Sequence, residues 1–320
     1  MSKWMTMDNN SYFRIRLSTI RPDKVTTFNI YILIDGKYYL YLKIGDRISN
    51  GKIETLHNRD TGDSFFVRTS DKELYRAWVR EEMNSNQLTP EQKAKILRES
   101  SIAIMEDLFE VPDVHQALDD AKPIVADFID FMESHPESMH FMLSLSGHDF
   151  YTYNHSLDVS IYALGLGAVL GYDKKTLEEL GLGSLFHDVG KRNVSLDILC
   201  KKGPLDDAEW AQMKMHATYG LQILNQHPDV SDAIKAAAFE HHESWEGNGY
   251  PQQIRGQEIH PFARIVALTD TYDAMTTQRS YNKPMSPLDA LTMMKEKLAG
   301  RYDPEMLKAM HSVLFKMRAA

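Results

Sequence analysis

The chain has 320 residues, is 43% hydrophobic and 25% charged, and carries a formal net charge of -9. These are the proportions of an ordinary soluble globular protein, and the length calls for more than one core. The acid excess argues against a nucleic-acid-binding surface spread over the molecule, while leaving room for a small basic pocket that takes a phosphate ligand. The single cysteine, Cys200, excludes an internal disulfide and fits a reducing compartment.

The N-terminal stretch "MSKWMTMDNNSYF" has no apolar run like the core of a signal peptide. The first third then reads as β. In "SYFRIRLSTI", Phe13, Ile15 and Leu17 alternate with Arg14 and Arg16, the pattern of a half-buried strand. "FNIYILIDGKYYLYLKI" reads as two strands joined at Asp35-Gly36, a hairpin signal, and "SFFVRT" as a further strand. "DKELYRAWVREEM" opens a helix, with Asp71 as N-cap, Glu73 in the first turn, and Leu74, Trp78 and Val79 on one face. Residues 1–88 are therefore expected to form a small β-rich domain.

A polar stretch with Thr89-Pro90 marks the boundary, Pro being favoured at the first helical position. From there to the C-terminus the chain reads as helix. Two amphipathic segments within 89–145 suggest a helical connector of the kind that pairs in homodimers, and 146–320 reads as an all-α bundle. The fold class expected is thus α+β in series. The longest apolar-leaning segment, Ser160–Tyr172, is too short to span a bilayer. The expectation is a cytoplasmic protein with no membrane and no nucleic-acid partner.

Thirteen histidines are scattered along the chain. Five stand out by context: His155 in "YTYNHSLDV", His187 before Asp188 in "LFHDVGK", His216 in "MKMHATYG", and the pair His241 and His242 in "FEHHESWEGNGYP". Asp270 follows in "RIVALTDTYDAM". Any one histidine on a helix is more often an ordinary core or surface residue than a ligand. The ordered set is different, because each member lies on or at the end of an apolar helix. Buried imidazoles and carboxylates are costly unless compensated, and a divalent metal is the natural compensation for nitrogen and oxygen donors.

"HDVGK" followed downstream by "HHESWEGNGYP" closely resembles the HD-GYP branch of the HD phosphohydrolase superfamily, and the resemblance runs from about Tyr151 to the C-terminus. It implies an HD-type helical bundle that hydrolyses cyclic di-GMP to linear pGpG, with onward cleavage to GMP a further expectation. The implied catalyst is a hydroxide bridging two divalent ions, iron or manganese first, with zinc, nickel or cobalt as alternatives. Asp188 would bridge the ions. His187, His155 and Asp270 would hold one of them, and His216, His241 and His242 the other. For His241 and His242 to reach one ion, their helix has to end there, since successive helical residues point about 100° apart. Gly247, Gly249 and Pro251 supply that ending.

The resemblance also assigns Lys191 to a phosphate oxygen in the transition state, against the plainer role of closing a helix C-terminus. Arg279 is implied as a phosphate contact. The family usually has a lysine three residues later, where this chain has Asn282 with Lys283 next. Tyr250 offers a ring to guanine or, equally, packs its own turn. Asp273, three residues past Asp270, is read as a structural partner. The glutamate that some members use for a third metal is replaced by Tyr151, and Asp149 is out of helical phase, so two ions are expected. Two other activities remain open. One is a cyclic di-GMP sensor or protein-interaction module with little turnover; the other is a phosphodiesterase for another dinucleotide such as cyclic GMP-AMP. The β-rich domain would regulate the enzyme, recruit signalling partners or mediate assembly.

Overall fold

The computed structural model describes residues 11–51, 65–110, 113–135, 152–277 and 283–315. The chain divides into two units, Met1–Val111 and Pro112–Ala320. The division falls inside the segment 89–145 expected as a connector.

In the first unit, β1 (Tyr12–Ile15), β2 (Ile30–Ile34), β3 (Lys37–Leu42) and β4 (Phe65–Arg68) form one antiparallel sheet in the order β1-β4-β2-β3. Phe13 and Ile15 are buried and Arg14 exposed, as the alternation requires; Leu17 is buried too, but in a 3-10 turn beyond the strand. β2 and β3 join through Asp35 (φ 49) and Gly36 (φ 74), the left-handed pair of a tight hairpin turn. Helix α1 (Lys72–Met83) and α2 (Pro90–Glu110) cover one face of the sheet.

Two details of α1 differ from the sequence reading. Asp71 occupies the N-cap position, yet its side chain makes no capping hydrogen bond. Leu74 is 45% exposed, and the buried face is Tyr75, Trp78, Val79 and Glu82. At about 100° per residue these four lie within about 100° of arc, and Leu74 falls about 40° outside it. Buried Glu82 is held by Lys24 Nζ at 2.5 Å and Arg21 Nη1 at 3.5 Å. Thr89 and Gln92 cap α2 reciprocally: Gln92 N–H donates to Thr89 Oγ1 and Thr89 N–H to Gln92 Oε1.

The second unit is helical: α3 (Val114–Ser134), α4 (Thr152–Val169), α5 (Lys174–Leu185), the single turn α6 (Leu196–Leu199), α7 (Asp207–Leu224), α8 (Asp232–Glu240), α9 (Pro261–Thr276), α10 (Pro287–Glu296) and α11 (Pro304–Phe315). α4 is buried along almost its whole described length, and α5, α9 and α11 pack around it. The core joins Val159, Tyr162 and Leu166 of α4 to Leu180, Leu268, Tyr272, Met294 and Met310. Each such side chain contributes on the order of 2 kcal/mol by leaving water. The apolar face of α3 packs on α5, and α2 packs on β1 and α1. Among the described residues no helix is long and apolar enough to cross a membrane.

Candidate metal centre

Five helices end or pass at one buried point. α5 stops at Leu185 and Phe186 caps it, so His187 and Asp188 occupy a turn and their side chains are free of helical phase. Asp188 then caps a 3-10 turn, Val189–Asn193. This turn packs on α7 because residue 190 is glycine. A Cβ there would sit 1.9 Å from His216 O and 2.3 Å from Gly220 N. That close approach brings Asp188 up to His216. α8 stops at Glu240, which frees His241 and His242 as the doublet requires. His155 comes from the first turns of α4 and Asp270 from α9.

The donor atoms of His216, His241 and His242 all lie within 4.8 Å of one another, and so do those of His155, His187 and Asp188. Asp188 faces both groups. Its Oδ2 is 3.3 Å from His187 Nε2 and 4.0 Å from His155 Nε2; its Oδ1 is 3.4 Å from His216 Nε2 and 3.8 Å from His241 Nε2. Asp270 Oδ1 lies 3.1 Å from His155 Nε2. The seven side chains singled out in the sequence are therefore brought together.

The outer partners orient the rings. Nδ1–H donates to a backbone carbonyl in three cases: His187 to Ser184 O at 2.7 Å, His216 to Met213 O at 2.8 Å, and His241 to Ala238 O at 3.0 Å. With Nδ1 protonated, a neutral imidazole points the lone pair of Nε2 inward. His155 is held instead by Asp273, whose Oδ2 is 2.7 Å from Nδ1; Thr277 Oγ1 donates to the other oxygen at 2.8 Å. Asp273 is thus an outer partner, as its spacing from Asp270 suggested.

Burial disfavours charge on His216, His241 and His242 and lowers all three pKa values, that of His242 to about 3. Burial also works against the charged form of His155, but Asp270 and Asp273 more than offset it and raise its pKa to about 10. For Asp188, burial is outweighed by Lys191 and His187, and the carboxyl stays well below the usual range; for Asp270, His155 does the same. His187 Nε2 and Asp188 Oδ1 are buried without a hydrogen-bond partner, close to neighbours but misaligned. A buried nitrogen lone pair and a buried carboxylate oxygen left unpaired cost free energy that a cation between them removes. The donor set fits divalent metal.

Lys191 Nζ hydrogen-bonds Asp188 Oδ2. Tyr250 stacks on His242, with centroids 4.7 Å apart and planes at 28°, and burial raises its phenol pKa. Its turn is fixed by Tyr250 N–H donating to His242 O at 3.2 Å and by buried Glu243, whose Oε1 accepts from Gln252 N and Gln253 N. The Tyr250-Pro251 bond is cis. Lys283 is exposed in the segment before α10, whereas Arg279, Asn282, Tyr151 and Asp149 lie outside the described residues. The sequence reading missed Trp210, 47% exposed and edge-on to Tyr250, and Lys214, whose Nζ lies 5.9 Å from the Tyr250 ring centre. Both sit on α7, ahead of His216 in the same helix.

Fold and site together define a helical domain built around a paired His-Asp donor cluster suited to divalent metal. A family model described as HD domain matches residues 122–306. A cyclic di-GMP phosphodiesterase of Pseudomonas aeruginosa is 31% identical over 220 residues, covering 68% of this chain and 52% of its own length. A 3'3'-cGAMP-specific phosphodiesterase of Vibrio cholerae is 37% identical over 165 residues, 51% of this chain and 35% of that one. The solved structure of an HDG"Y"P protein from Bdellovibrio bacteriovorus shares the fold, with a TM-score of 0.73 at 22% identity over 95% of this chain and 99% of the other. The chain belongs to the HD domain family. It spans about half the length, or less, of these curated relatives.

Proposed function

We propose that the protein is a metal-dependent phosphodiesterase that opens a cyclic dinucleotide, cyclic di-GMP first, to the linear product pGpG. One observation carries this reading: Asp188 faces two groups of nitrogen and oxygen donors at once, the arrangement a two-metal phosphodiesterase needs. His155, His187 and Asp270 would hold one ion and His216, His241 and His242 the other. Iron or manganese suits this mixture of imidazole and carboxylate, with zinc, nickel and cobalt as alternatives. Ions bound there supply an acidified water and charge neutralisation at the phosphate.

The chain's own groups do the rest. The orienting carbonyls and Asp273 keep the Nε2 of His155, His187, His216 and His241 turned inward. Lys191, which hydrogen-bonds Asp188, is proposed to donate to a phosphate oxygen. Arg279 and Lys283 are proposed as further phosphate contacts, Arg279 by its bidentate fork. Exposed Cys200, a thiol without a disulfide partner, suits the cytoplasm. The first unit is proposed to regulate this activity or to recruit signalling partners.

Relatives named for cyclic di-GMP and for cGAMP are about equally similar, so cyclic GMP-AMP is the second substrate to assay. The test is product analysis with iron- or manganese-loaded protein. pGpG should form, and His187→Ala or Asp188→Ala should abolish it. Tight binding of cyclic di-GMP without product would replace this reading by a sensor.

A further inference from the structure

A cleft of about 390 Å³ opens beside the metal centre, with His242 and Tyr250 in its wall. One side is the turn Ser244–Gly249; the other is the loop after α10, from Lys297 to Arg301. The two sides are locked together. Trp245 N–H donates to Arg301 O and Glu246 N–H to Gly300 O, each at 3.0 Å, and Ser244 Oγ donates to Gly300 O at 3.1 Å. The Glu246 carboxylate lies directly over Gly300, where a Cβ would meet it at 2.2 Å. The charged groups lining the cleft are thus one carboxylate, Glu246, on the turn side and two cations, Lys297 and Arg301, on the loop side, with Tyr250 also in the wall.

We infer that this cleft is a guanine pocket, in which Glu246 and Arg301 are specificity-determining residues. The inference rests on the cyclic dinucleotide reading above and extends it to the base. Guanine presents N1–H and N2–H donors on one edge and O6 and N7 acceptors on the other. A carboxylate opposite a guanidinium is the complement of that pattern. Adenine turns an acceptor N1 toward the carboxylate and carries an amino donor in place of O6, so the same pair disfavours it. An aromatic wall suits any base, because every base has a π-face, and leaves discrimination to the charged pair. The volume admits a base and part of its sugar. One guanine enters while the attacked phosphate stays at the metal centre. Cyclic di-GMP and cyclic GMP-AMP both meet this condition, and cyclic di-AMP does not.

The test uses the full chain in two ways. Metal-loaded protein is assayed on cyclic di-GMP and cyclic di-AMP, and metal-free protein is titrated with GMP and AMP. Cyclic di-GMP should be preferred by about 10-fold or more. Glu246→Gln should raise KM for cyclic di-GMP by about 10-fold and erase the preference for GMP over AMP, and Arg301→Ala should weaken GMP binding to a similar extent. The sign is decisive. If the cleft held a phosphate instead, removing the carboxylate would tighten binding, so a lower or unchanged KM in a Glu246→Gln protein that melts like the wild type overturns the inference. If wild-type protein opens no cyclic dinucleotide, the phosphodiesterase reading falls while the mononucleotide titration still decides the pocket. A GMP preference that disappears in Glu246→Gln upholds it, and equal affinities for GMP and AMP overturn it.

Discussion

His155 is flanked by Asp270 on Nε2 and Asp273 on Nδ1, and its charged form is favoured up to about pH 10. An ion that takes Nε2 must therefore displace a proton. Metal loading at pH 7.5 should release about one proton from this residue, measured by calorimetry in buffers of different ionisation enthalpy. The three histidines of the other group are neutral there and release none. The same shifts set the stability of metal-free protein. The contribution of His155 is complete below its ordinary pKa of 6.5 and fades as pH rises toward about 10. His242, lowered from 6.5 to about 3, binds more protons unfolded than folded between those values, so stability falls as pH drops through that window. Thermal melts of chelator-treated protein should therefore peak near pH 6.5, and a plateau across pH 4 to 9 would contradict this assignment. Asp273→Asn keeps the Thr277 contact but removes the charge behind His155; metal affinity should drop by about 10- to 100-fold in a competition titration, with the fold retained.

The HD turn works because helix α5 ends where it does and because Gly190 lets the following turn touch α7. Gly190→Ala places a methyl against the His216 carbonyl and the Gly220 amide, so the turn and α7 must separate. Overpacking of this kind costs about 1–3 kcal/mol. It should also displace Asp188 from His216, so metal affinity should fall together with melting temperature. Here the sequence was most informative. Donors in fixed order on or beside apolar helices are a local pattern, and the turn residues Gly247, Gly249 and Pro251 that follow the doublet are visible beside them, although α8 already stops at Glu240. The hairpin at Asp35-Gly36 was legible for the same reason, since only a left-handed turn wants that pair. The face of α1 was harder: Leu74 is more apolar than Glu82, but angular position decides burial, and Glu82 is matched by Lys24 and Arg21 from another part of the chain. Arg301 and Lys297 were illegible at the site, because only the tertiary fold brings the loop after α10 against the turn after the His-His pair.

The chain is two units, and every donor of the cluster lies in the second. The HD domain match, residues 122–306, falls wholly within that unit. A chain shortened to residues 112–320 should therefore bind the same number of metal ions per molecule as the full chain, by elemental analysis after anaerobic purification. A change in turnover rate or oligomeric state on the same truncation would measure what the first unit adds. The central requirement is that the cluster be a working two-metal site. The direct measurement is the product formed from cyclic di-GMP by full-length protein loaded anaerobically with iron or manganese and shown to hold two ions. The account predicts pGpG, lost on chelation, restored on reloading and absent in Asp188→Ala. Protein that holds two ions yet leaves cyclic di-GMP and cyclic GMP-AMP intact, or an Asp188→Ala variant that keeps full activity, would contradict it.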